Sequence, residues 1–321
     1  MFTDHADRAH PTETGRSLGR RGFLRSGAVV AAAVGVGGPV AAPAEAAPAS
    51  APAGHRRVPV DRISIQLYTV RDVLAADPAG TLATLADIGY TRVEVAGTAG
   101  LTATAFRSLL DANGIRATSG HFGIPQPFDA AAWRATLATA RTLGCRYVVH
   151  PFFGADATGG AVRDAAVWRA FAQDLNRAGA LAREAGFRFG YHNHHFEFFP
   201  LADGSGRNGF DVLTSTADPR LVHLEVDLYW SWRGTADPVD VIHAHRGRVL
   251  QFHCKDMNLS SGFADLGTGL IDFRRIFAQS DVAGVQEYIV ERDDAGTAPR
   301  VPADALDTAA VGYRFLRNIR F

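Results

Sequence analysis

Eight short runs rich in β-branched and aromatic residues recur between Asp61 and the C-terminus, with helical patterns filling the intervals. They are Ile63–Leu67, Arg92–Val95, Arg116–Ser119, Tyr147–His150, Arg188–His192, Leu221–Val226, Val249–His253 and Tyr288–Glu291. Strands separated by helix-length segments pair in parallel through crossovers. Eight such repeats predict one (β/α)8 barrel domain over residues 61–321. The runner-up, a doubly wound open sheet, would carry a Gly-rich dinucleotide turn after the first strand, and none is there.

The helical segments are punctuated by glycine. Thr81–Ile88 sets Leu82, Leu85 and Ile88 at helical spacing and stops at Gly89; Ala103–Ala112 stops at Asn113-Gly114. Ala130–Leu143 ends at Gly144, and Val167–Ala185 at Gly186. Glycine accepts the left-handed conformation of a helix stop cheaply. Further helices are expected at Pro238–His245, Phe273–Gln279 and Ala303–Arg317, whereas Gly209–Thr216 reads as a short, irregular crossover.

The first sixty residues differ from the rest. Ser17-Leu18-Gly19-Arg20-Arg21-Gly22-Phe23-Leu24 precedes an uncharged Ala/Val/Gly run from Ser26 to Ala44, then a small-x-small site at Ala44-Glu45-Ala46. This order resembles a twin-arginine export signal over 1–46, followed by an Ala/Pro-rich linker over 47–60. The export machinery is then a partner, and the destination is extracellular, cell-wall associated or periplasmic. Gly35, Gly37, Gly38 and Pro39 make the run a poor permanent membrane span.

Net charge is zero, so no basic surface points to nucleic acid. The two cysteines, Cys145 and Cys254, lie in apolar runs and read as free thiols. The 33 basic residues comprise 32 Arg and a single Lys, Lys255. Arginine cannot release a proton near neutrality, whereas a tuned lysine can. Lys255 stands two residues after His253, so it is a candidate acid/base, with its pKa lowered beside a cation.

Four strand ends carry metal-ligand residue types: His192 with His194, then Asp227, His253 and Glu291. Alternation puts Arg188, Gly190, His192 and His194 on one face of the fifth strand, and Phe187, Phe189 and Tyr191 on the other. The apolar set faces helices, so the histidines face the barrel axis. On the sixth strand His223, Glu225 and Asp227 share a face. Residues deep in a barrel fill its core and those at C-terminal strand ends line the site. His223, Glu225 and Glu287 are therefore read as core, and Asp227, His253 and Glu291 as ligands to one divalent ion. His121 and His150 end the third and fourth strands within reach of substrate. Glu94 is placed to hold a substrate hydroxyl and Trp230 to form an apolar wall for a sugar ring. His195, His243 and His245 read as surface residues.

The motifs resemble the xylose isomerase-like superfamily, the sugar phosphate isomerase/epimerase group. They are Ile65-Gln66-Leu67-Tyr68, the run Gly190 to Phe198, Glu225-Val226-Asp227-Leu228-Tyr229-Trp230, His253-Cys254-Lys255-Asp256, Gly267-Thr268-Gly269 and Val290-Glu291. The resemblance spans essentially 61–321. It implies one divalent ion (Mn2+, Mg2+, Co2+ or Zn2+) held by His192, Asp227, His253 and Glu291, with Gln66, Tyr68, Glu94, His121 and Trp230 around a carbohydrate. The strand-five ligand is commonly Glu in the epimerases. His192 stands at that position here, and Glu197 is the nearest carboxylate if the loop folds back. Catalysis is assigned to Glu291, Lys255, Glu197 and His194. The Tyr-His-x-His pattern also occurs in inosose dehydratase-like proteins.

The implied chemistry polarises a ketone, removes the neighbouring C–H proton and passes through an enediolate. Reprotonation gives an isomer or epimer; loss of a β-substituent gives elimination. Export disfavours sugar phosphates, leaving a free keto-sugar, cyclitol or keto-glycoside. Two rivals share the scaffold: an abasic-site nuclease, disfavoured by neutral charge, and a non-catalytic sugar-binding protein. Oligomeric state is left open.

Overall fold

The computed structural model describes residues 56–156 and 158–321, so the export signal over 1–46 and the linker up to residue 55 lie outside the described residues. The barrel strands are β1 (Ile63–Gln66), β2 (Arg92–Val95), β3 (Arg116–Gly120), β4 (Tyr147–His150), β5 (Arg188–His192), β6 (Val222–Asp227), β7 (Val249–Cys254) and β8 (Glu287–Val290). They pair in parallel in the order β3-β2-β1-β8-β7-β6-β5-β4. The two ends of that sheet meet through the parallel bridge between His121 and Val149. Arg146 N–H donates to Thr118 O at 2.9 Å and Phe122 N–H to Val149 O at 2.8 Å across the same seam. The result is the expected (β/α)8 barrel, with each strand bound within one residue of the sequence reading.

Local chemistry explains the helix bounds. Asp77, Thr102, Asp129, Asp164, Asp237 and Asp272 each accept a backbone N–H at a helix start. Such a cap contributes about 1 kcal/mol. Gly89 (φ 120°) and Gly144 (φ 90°) close their helices in the left-handed region. Gly209–Thr216 is not an irregular crossover. It is an α-helix with a capping box, in which Asp211 N–H donates to Asn208 Oδ1 (2.8 Å) and Asn208 N–H to Asp211 Oδ2 (3.0 Å). Its leading glycine reflects packing, because a Cβ on Gly209 would lie 2.2 Å from Trp168 Cε2. The linker also ends earlier than expected. Arg56 and Phe321 exchange two backbone hydrogen bonds of 3.1 Å, and Val58 is buried.

The apolar core lies between strands and helices. Ile65, Val93, Val148, Phe189, Leu224, Phe252 and Val290 belong to it, with Leu82, Phe106, Trp133 and Trp168 from the helices. Phe189 meets the Trp133 ring edge-on at 5.5 Å. Each such side chain contributes about 1.5–3 kcal/mol by leaving water.

Inside the barrel the filling is polar: Ser64, Gln66, Glu94, Ser119, His223, Glu225, Gln251, His253 and Glu287 are all buried. All but Ser64, whose Oγ is without a partner, form a hydrogen-bonded column along the axis. Gln251 Nε2 donates to Glu287 Oε2 (3.2 Å) and Ser119 Oγ (2.9 Å), and Ser119 Oγ donates to Glu94 Oε1 (2.6 Å). Partnered polar groups are tolerable in a low-dielectric core, whereas orphaned ones are not. Gly190 makes room for this filling, since a Cβ there would sit 2.4 Å from His223 Nε2.

Candidate active site

The C-terminal strand ends bring His192, Asp227, His253 and Glu291 together, their ligand atoms within 4.8 Å of one another and all four residues buried. His192 ends β5, Asp227 ends β6, His253 lies in β7 and Glu291 follows β8. Asp227 has two tasks. Its Oδ1 accepts Trp230 N–H at 2.7 Å, starting the Leu228–Arg233 helix, while Oδ2 is buried without a hydrogen bond. Two imidazoles and two carboxylates within that span suit one divalent ion, whose bonds to N and O donors run about 2.0–2.2 Å. The buried donor set itself supports the fit, with Asp227 Oδ2 taking no hydrogen bond and facing the Lys255 ammonium at 3.2 Å.

Glu225, read from sequence as core filling, is the hub beneath this set. Its Oε1 lies 2.8 Å from His121 Nε2, 3.1 Å from His192 Nδ1 and 2.9 Å from His253 Nε2. Carboxylates on the far nitrogen of a ligating imidazole fix its tautomer and orientation. His121, His192, Glu225 and His253 form a second compact donor group, sharing two imidazoles with the first. His253 Nε2 also meets Glu94 Oε2 at 2.6 Å, and His253 Nδ1 meets Glu291 Oε2 at 2.6 Å.

These contacts set the electrostatics. Burial alone would discharge His253, but Glu225, Glu291 and Glu94 outweigh it and raise its pKa well above the ordinary range. His192 is pushed down to about 3, first by burial and then by His253. Burial lifts Asp227 to about 6. Glu291 is held well below the usual carboxylate range, because Lys255 and His253 overcome its burial.

Lys255 lies where the sequence reading put it, with Nζ 2.9 Å from Glu291 Oε2, 3.2 Å from Asp227 Oδ2 and 2.8 Å from Asp293 Oδ1. The expected lowering of its pKa is reversed. Burial disfavours its charge, but Asp227, Asp293 and Glu291 outweigh that and raise the pKa well above its ordinary value. Asp293, in the turn two residues past Glu291, had not been singled out.

Glu197 does not join the cluster. Its Oε1 accepts from Tyr191 OH (2.6 Å) and His194 N–H (2.8 Å), which fixes the turn after β5. Burial raises this carboxyl to about 7. Asn193, also missed, joins that turn to β6: its Oδ1 accepts Asp227 N–H at 3.0 Å. His194 packs between Phe152 (5.0 Å) and Trp230 (5.3 Å), and burial holds its pKa well below the ordinary value.

The substrate set divides. Gln66 is fully buried; its Nε2 donates to Glu94 Oε2 at 2.8 Å, and its Oε1 accepts Tyr68 N–H at 3.1 Å. Glu94 is fully buried as well and faces Ser119 and His253. Both side chains are thus held by neighbouring residues of the barrel. Tyr68 lies at the rim, 42% exposed, with the Arg71 guanidinium 4.2 Å from its ring. Trp230 stands with its ring centroid 5.6 Å from Lys255 Nζ. His121 lines the mouth and stacks on His253 at 5.2 Å. His150 is buried and accepts Ile124 N–H at 2.9 Å. His195 is half-buried against Trp230, not a surface residue.

A parallel eight-stranded barrel whose mouth gathers buried imidazoles and carboxylates defines the class as a (β/α)8 barrel with a donor cluster that could hold a metal ion. The profile of the xylose isomerase-like TIM barrel family matches residues 82–318, and the chain belongs to that family. It is 25% identical over 257 residues to an inosose dehydratase of Geobacillus kaustophilus, covering 68% of this chain and 81% of that one. Among solved structures, a sugar phosphate isomerase/epimerase from Parabacteroides distasonis superposes with TM-score 0.67 at 23% identity, over 86% of this chain and 98% of that one. The IOLI protein, solved with a zinc atom, does so with TM-score 0.59 at 13% identity, over 81% and 99%. The relatives include sugar-modifying enzymes, and the chain is an enzyme of this family.

Proposed function

We propose that the chain is an exported, divalent-metal-dependent enzyme that moves protons next to the carbonyl of a keto-sugar, cyclitol or keto-glycoside. The observation carrying this reading is the joint burial of His192, Asp227, His253 and Glu291 around one point, with Lys255 beside them. The ion, held by those four side chains, would supply Lewis acidity toward a ketone and its neighbouring hydroxyl. Glu291, ionised by its cationic neighbours, is the base for the adjacent C–H. Lys255 holds negative charge developing on the enediolate oxygen, and Glu225 keeps both imidazoles aimed. Phe152, His194 and Trp230 present ring faces and edges to an apolar sugar face.

Elimination is the second reading, favoured over isomerisation by Glu197. An epimerase of this type sets two carboxylates on opposite faces of the reacting carbon, and here Glu197 is tied to Tyr191 and His194. The inosose dehydratase relative supports the same outcome. Proton–deuterium exchange with ketoses, inososes and 3-keto-glycosides, in metal-restored protein, tests the common step. Analysis of the products then separates an epimer from a dehydrated or cleaved sugar. No exchange with any of the three classes sinks the proposal. Export is tested separately: replacing Arg20 and Arg21 by Lys should leave the precursor in the cytoplasm.

A further inference from the structure

The opposite end of the barrel, where the strands begin, holds a second concavity. Arg62 precedes β1, Arg92 and Arg116 open β2 and β3, and Arg146 precedes β4. These four residues, with Asp61 and Glu287 among their neighbours, line a cavity of about 340 Å3. Glu287 is already engaged, by Arg92 Nη1 at 3.2 Å and by Gln251 Nε2 at 3.2 Å from inside the barrel. Asp61 lies 3.9 Å from Arg92 Nη2 and is largely exposed. Four guanidinium groups against two carboxylates leave the lining with a net charge of +2.

Three details separate this cavity from an ordinary solvated edge. Arg92 Nε is buried and has no hydrogen-bond partner. Arg116 and Arg146, among the described residues, enter no ion pair with any carboxylate. The Arg146 guanidinium is held 5.5 Å from the centroid of the Tyr147 ring, which limits its freedom to swing into solvent. An orphaned buried N–H costs about 1–3 kcal/mol, and unpaired cations facing one concavity repel each other. A multivalent anion that only accepts hydrogen bonds relieves the repulsion among the guanidinium groups, and the planar fork of arginine matches it in a way lysine does not.

We propose that this cavity binds a tetrahedral oxyanion of the phosphate or sulfate class, bridging Arg92, Arg116 and Arg146. Residues at this end of such barrels serve stability, not turnover, so bound anion raises the unfolding midpoint by mass action. The test is calorimetric titration of the full chain with inorganic phosphate, sulfate and, in a third arm, citrate, all at constant ionic strength. Phosphate or sulfate should bind saturably at one site, with affinity lowered about tenfold or more by the double substitution R116Q/R146Q. Both positions are exposed, so the fold should persist, which circular dichroism checks. R134Q, an exposed position outside the cavity, should leave sulfate binding unchanged. Heats that never saturate, equal affinity in R116Q/R146Q, loss through R134Q, or binding of citrate alone would each overturn the assignment.

Discussion

Replacing Lys255 by Met removes a buried ammonium while keeping a chain of similar length against Trp230. The side chain is 2% exposed, and Asp227, Glu291 and Asp293 all lie within 3.2 Å of its nitrogen. At an effective dielectric near 20, one such contact is worth about 5 kcal/mol before desolvation is counted. Breaking a buried ion cluster on one side costs about 3–5 kcal/mol, because the remaining charges stay buried without a counter-ion. We therefore expect Lys255→Met to lose that much stability in metal-free protein, measured by urea unfolding. Saturating Mn2+ should restore most of the loss, since a dication on Asp227 and Glu291 supplies the missing positive charge. A loss below about 1 kcal/mol, or an equal loss with and without metal, would refute the reasoning, because either means that Lys255 does not neutralise the ligand carboxylates.

Glu291→Gln should lower proton–deuterium exchange by about 10²–10⁴-fold, the usual contribution of a positioned base, with the far-ultraviolet spectrum unchanged. Glu225→Gln should weaken metal affinity about 10–100-fold, read by competition with a chelating dye; unchanged affinity would return Glu225 to mere core filling. Glu197 makes a pH prediction: its folded pKa, about 7, lies above the ordinary 4.5. The folded state thus binds its proton more tightly, so this contribution is fully present below pH 4.5 and lost as pH rises through 7. The difference is worth on the order of 3 kcal/mol. In metal-free protein, Glu197→Gln should flatten the fall in stability between these pH values, and an unchanged slope would count against the buried acid.

The strand ends were legible because a strand alternates its faces whatever surrounds it. Two-residue periodicity placed His192, Asp227, His253 and Glu291 on inward faces before any tertiary contact was known. The helix bounds followed the same local logic, through caps such as Asp129 and stops such as Gly144. Depth along the barrel axis was harder to read. Glu225 and Asp227 share a face, and only the register decides which meets the imidazoles. That register shifts between Leu224 and Glu225 where β6 pairs with β7, setting Glu225 opposite Gln251 and Asp227 opposite His253. Nothing in the strands of Gln66 and Glu94 reports that Gln66 is bonded to Glu94 and Tyr68, or that Ser119 and His253 engage Glu94.

By itself the sequence determined the eight-fold alternation, the inward histidines and acids, and the family to which they belong. Those properties are encoded in short-range periodicity and in residue chemistry. Tertiary structure alone decided that Glu197 turns toward Tyr191, that Glu225 serves three imidazoles, and that three carboxylates keep Lys255 charged. The Glu197 turn is the more local of these, six residues from Tyr191. The Glu225 and Lys255 outcomes depend on through-space distances between strands and loops far apart in the chain, and electrostatic energy follows those distances, not the spacing along the chain.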